Sequence, residues 1–134
     1  MSHELWVHKF VDGENVPPDM SVVRDVLAPH DTGEPVVDDE GKIHFSIRAA
    51  DGGEADLVAS DNGVLIDRPA RGEILAIVAD LVSRLGAVII DPRDAAFICR
   101  AEERAQLPAQ FQEDAVVIEM NGQAIERTLT GPRS

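Results

Sequence analysis

Residues 42–67 leave the chain few options. From Lys42 to Ala50, Ile43, Phe45 and Ile47 alternate with His44, Ser46 and Arg48, the period of a strand with one apolar and one wet face. Asp51-Gly52 and Asn62-Gly63 bracket Ala55 to Ser60 and lead into Val64 to Asp67. Both pairs favour tight hairpin turns, because their residues tolerate positive φ. The expectation is a three-strand antiparallel meander.

The flanks supply helices. Ile74, Ile77, Val78, Leu81, Val82 and Leu85 recur at helical spacing within a segment from about Ala70 to Leu85, and Gly86 is placed to cap it. Earlier, Leu5 to Val11 is apolar on both faces, as in a central strand, and Asp12-Gly13 ends it. Pro17-Pro18 suits the first turn of a helix whose stripe is Met20, Val23, Val26 and Leu27, stopped by Pro29. Later, Val88 to Ile90 and Ala95 to Arg100 form strands joined by the turn Asp91-Pro92-Arg93-Asp94. A helical turn over Ala101 to Gln106 ends before Pro108, and Ala115 to Met120 is the last strand, broken by Asn121-Gly122.

The predicted fold is therefore α+β: a mainly antiparallel sheet with two principal helices on one face, in an order that allows tandem β-α-β-β(-β) units. Residues 1–134 make one domain, with a loose tail from about residue 130. A weak internal repeat supports the tandem reading. Val22–Leu27 parallels Ile77–Val82, and Val36-Val37-Asp38 parallels Ile89-Ile90-Asp91.

Charge narrows the function. The net charge is −13, and ten carboxylates face only Lys42 and Arg48 between Asp31 and Asp67, a local charge of −8. Such a segment repels nucleic acid and anionic lipid and favours basic protein surfaces or cations. Aromatic residues number one Trp, four Phe and no Tyr, so base-stacking platforms are scarce. Nucleic acid and membrane are thus excluded as expected partners. The start lacks a basic stretch followed by an apolar run, and no apolar run approaches the about 20 residues of a membrane span. One cysteine cannot form an intrachain disulfide, so the expected location is cytoplasmic.

Motifs for chemistry are missing. The chain has no G-x-G-x-x-G, no G-K-[ST] and no G-x-S-x-G, so neither nucleotide binding nor a serine nucleophile elbow is expected. Cys99 sits beside Phe97 on one strand face and reads as a small core residue rather than a nucleophile. His3, His8, His30 and His44 show no metal-ligand spacing. Asp38-Asp39-Glu40-Gly41 lacks the alternate spacing of a calcium loop and reads as a solvated turn. No catalytic residue and no cofactor are assigned.

In layout, two strand-helix-strand-strand-strand units in this length resemble the vicinal oxygen chelate (glyoxalase-like) proteins. That resemblance implies a metal inside a curved sheet, with ligands on the first and last strands of each unit. Here His8, Asp56 and Glu119 would supply them. Asp67 stands where that family places His or Gln, and the Asn62-Gly63 hairpin leaves almost no linker between units.

The leading expectation is a small acidic protein-binding domain, of the kind that neutralises a basic bacterial toxin or nuclease. Its contact residues would be Asp31, Glu34, Asp38, Asp39, Glu40, Asp51, Glu54 and Asp56. The alternatives are a small-molecule or metal-binding cavity around His8, Asp56 and Glu119, and a homodimer through a sheet edge or face near Ala115 to Met120.

Overall fold

The computed structural model describes residues 4–67, 69–70, 72–91 and 96–130. These form an α+β fold built on one nine-stranded, mostly antiparallel sheet in the order β3-β4-β5-β6-β1-β7-β8-β9, with β2 pairing β1 off that path.

The meander forms where the turn pairs place it. β4 (Ile43–Arg48), β5 (Glu54–Ser60) and β6 (Gly63–Asp67) are consecutive antiparallel neighbours. β3 (Val36–Val37) adds a short outer edge strand. β1 (Glu4–Val11) lies between β6 and β7 (Val88–Asp91), antiparallel to both. Its far end turns back through β2 (Glu14–Val16). β8 (Ala96–Cys99) follows β7, and β9 (Val116–Val117) pairs with β8 in parallel. The turn expected at residues 92–94 lies outside the described residues, as does the tail at 131–134.

The element order matches the tandem units, but the topology merges them. β6 and β7 run in the same direction on either side of β1, and the helix that follows β6 carries the chain from one to the other. The repeated segments also occupy unlike places. Val36 and Val37 sit exposed on an edge, whereas Ile89 is fully buried beside β1.

Among the described residues, three helices of eight or more residues cover one face. α1 (Met20–Leu27) starts one turn later than the proline pair suggests, because Asp19 is the cap and accepts the Ser21 amide at 3.0 Å. α2 (Glu73–Leu85) ends as expected on Gly86 in the left-handed region, with φ of 65°. Lys9 donates to the Leu85 carbonyl at 2.8 Å, placing a cation at that helix end. The third helix, α5 (Gly122–Thr130), begins where the sequence suggests only a break. Asn121 caps it by accepting the Ala124 amide at 2.8 Å. A Cβ on Gly122 would lie 2.7 Å from the Ala76 amide nitrogen, so only glycine lets α5 approach α2 this closely.

The core lies between these helices and the sheet. The α2 stripe meets Ile43, Phe45 and Ile47 as anticipated, together with Leu5, Val7, Leu57, Val64 and Ile66. Ile125 and Leu129 close it from α5. A smaller apolar cluster of Val88, Cys99 and Leu107 lies on the opposite face, under α3 (Ala101–Arg104) and α4 (Ala109–Gln112). There Phe97 and Phe111 stack with centroids 4.5 Å apart. Cys99 is buried as expected, and burial first, then the Glu103 charge, pushes its thiol pKa up. Among the described residues, no helix is long and apolar enough to cross a membrane.

Candidate functional site

The acidic segment is a set of unlike sites rather than one uniform patch. Asp51 is a helix cap supplied from a distance. Its Oδ1 accepts the Gly53 amide at 2.9 Å, and its Oδ2 accepts the Glu73 amide at 3.1 Å at the start of α2. Those two amides, Gly53 first, hold its carboxyl below the usual range. Gly72, at φ 84°, leaves room for this: a Cβ there would lie 2.6 Å from Asp51 Oδ2. Asp38 builds the β3–β4 turn by accepting the Glu40 and Lys42 amides, and it lies 2.8 Å from His44 Nε2. The His44 contact is the main cause of its lowered pKa.

Other members have side-chain partners. Glu54 pairs with Arg48 at 2.6 Å, Glu40 lies 3.8 Å from Lys42, and Asp56 accepts the Ser46 hydroxyl at 3.0 Å. The Arg48–Glu54 pair is exposed on both sides, so water and salt screen it strongly. Asp31 lies in a cleft of about 690 Å³ lined also by His30, Arg48, Glu73 and Asp80. Burial raises its pKa and His30 partly offsets that; its Oδ1 has no hydrogen-bond partner among the described residues. Glu34 and Asp39 flank the β3 edge, exposed and without a cationic partner among the described residues.

The three positions implied by the glyoxalase-like layout do not converge. His8 is on β1 and Asp56 on β5, two strands across and four residues along, about 16 Å apart. Glu119 follows β9, about three strand spacings from β1, or about 14 Å. Among the described residues, no group of three or more His, Cys, Asp or Glu side chains is placed to hold a metal ion. His8 packs between Trp6 and Phe10, with centroids 5.6 and 6.3 Å away. Burial lowers its pKa, opposed in part by the polar side chain of Asn15.

Strand register gathers a different set of residues on the sheet face away from α1, α2 and α5, here called the outer face. Asp56, Asp67 and Glu4 lie opposite one another on β5, β6 and β1, forming a carboxylate row. Two residues along each strand lies a second row: Val58, Leu65 and Trp6, continued by Ile90 on β7. On the other side it extends through His44 to Val36 on the edge. Trp6, Val58 and Leu65 belong to neither apolar cluster and remain partly exposed. Nothing in the sequence marks these four strand positions as neighbours. Only the alternation within each strand was readable.

No known protein family, curated protein or solved structure matches this chain.

Proposed function

We propose that this protein is a binding module without catalytic activity, whose acidic face engages a basic protein partner. One observation carries the reading: exposed carboxylates on β3–β5 and its flanks adjoin a partly exposed apolar row. Carboxylates steer a basic partner in, and apolar side chains hold it once water leaves.

The test starts with capture on the untagged protein at low salt, followed by reconstitution with the purified captured protein. The expected result is a basic partner whose association rate falls at least about tenfold between low and high salt. A partner without basic surface, or a rate indifferent to salt, overturns the reading.

A further inference from the structure

An antiparallel sheet with one solvated face ordinarily carries polar side chains there. Strand β4 obeys this with His44, Ser46 and Arg48. The central strands do not: at the same level on the outer face they carry Leu65, Trp6 and Ile90. From Val58 through Leu65 and Trp6 to Ile90 this row crosses four strands, about 14 Å at the usual strand spacing, and His44 on β4 separates it from Val36 at the edge. The carboxylate row of Asp56, Asp67 and Glu4 runs beside it, about 7 Å away along the strands. At the β7 end the apolar row joins the cluster under α4, so it rests on a packed base.

We propose that this transverse row, centred on Trp6 and Leu65, is the docking surface for a protein bearing an apolar ridge flanked on one side by Lys or Arg. The proposal rests on the protein-binding reading above and adds where the partner sits and what it must present. Charge complementarity selects the occupant. The apolar row needs an apolar counterpart, and the exposed carboxylates of Asp56 and Glu4 beside it attract cations within one residue pair of it. A second copy fits poorly, because it would bring together two chains of charge −13 and set carboxylate rows near one another. Anionic lipid and nucleic acid are repelled by the same row. A partly exposed Trp at the centre of the row has the character of an interface anchor.

Trp6 is the sole tryptophan, so its emission reports docking directly. The probe is a synthetic amphipathic helix with leucines on one face and lysines along one border, with polylysine as comparison. With the intact protein at low salt, the amphipathic peptide should give a saturable blue shift of Trp6 emission. It should bind at least about tenfold more tightly than polylysine. Leu65→Asp should weaken binding at least about tenfold, as should Asp56→Lys. Leu65→Thr keeps a strand-forming side chain and should weaken it in the same direction if Leu65→Asp misfolds. Asp25→Lys and Glu113→Lys make the same charge change elsewhere and should alter affinity less than about threefold.

Four results overturn the proposal. If both Leu65 variants bind normally while Glu34→Lys with Asp39→Lys abolishes binding, the docking surface falls and the broader acidic-module reading stands. Equal binding of polylysine and the amphipathic peptide has the same meaning. If neither probe binds, both readings fall. If the wild type sediments as a dimer that Leu65→Thr dissociates, the occupant is a second copy.

Discussion

On the helix side of the sheet, Leu5, Val7, Phe45, Leu57 and Ile66 are at most 1% exposed, and each contacts a helix or another buried strand residue. On the outer side of the same strands, Trp6, Val58 and Leu65 are apolar and yet only partly covered. The backbone and hydrogen-bond ladder are shared, so the difference lies in what each face is packed against. The helix face has its partners within the chain. Among the described residues, the outer face has them where α3 and α4 reach, over β7 and β8. The helix face answers to stability, and the proposed docking places recognition on the other.

That contrast breaks first if the helix face is not the stabilising one. Leu81 is fully buried in α2, and Leu81→Ala should lower stability by about 2–5 kcal/mol, through lost transfer energy and the cavity left behind. Ile77→Ala should move the same way. Denaturant midpoints measured by circular dichroism decide it, and unchanged midpoints in both variants would refute the core assignment. Val64→Thr, buried on the helix side of β6, should cost about 1–3 kcal/mol because the new hydroxyl has no water.

The contact between α2 and α5 sharpens the comparison, since it sits outside the part of the core that periodicity reveals. Gly122→Ala places a methyl 2.7 Å from the Ala76 amide nitrogen, so α5 must shift. The expected cost is about 1–3 kcal/mol. Hydrogen exchange should accelerate in α5 well before the meander. Uniform acceleration across the sheet would show that α5 is not a separable layer.

Asp51 tests whether part of the acidic segment serves the helix face. Asp51→Ala removes the acceptor for the Glu73 amide at the start of α2 and should lower the denaturant midpoint, by less than Leu81→Ala. Its folded pKa is depressed, so its stabilisation is present above the ordinary aspartate range. It is lost as the pH falls through the lowered value. The variant should accordingly show a flatter acid limb in stability against pH. An identical acid limb in both proteins would remove Asp51 from the capping role.

What the sequence disclosed follows range. The α2 stripe with Gly86, and the alternation of β4 with its two turn pairs, are encoded within a few residues. Both were legible for that reason. Among its described side chains α5 offers Ala124, Ile125 and Leu129 to the core, too short a stripe to outweigh an Asn-Gly pair that ordinarily ends elements. The placement of β1 between β6 and β7 joins segments more than 50 residues apart, and no local rule specifies it. The candidate surface depends wholly on that placement. Without β1 in the middle, Trp6 has no neighbour in Leu65 or Ile90, and Glu4 does not line up with Asp67.

The smallest expected effect discriminates most finely. Val58→Thr keeps a β-branched side chain of similar size on the outer face of β5, where the added hydroxyl can reach water. Its stability should stay within about 0.5 kcal/mol of wild type, in contrast to Val64→Thr on the neighbouring strand. The two substitutions are chemically identical and differ in which face receives the hydroxyl. If Val58→Thr costs as much as Val64→Thr, the outer row is a second core and its apolar character needs no partner. If it costs nearly nothing, folding does not account for a valine beside Leu65 and Trp6, and the reason must lie in what the face meets.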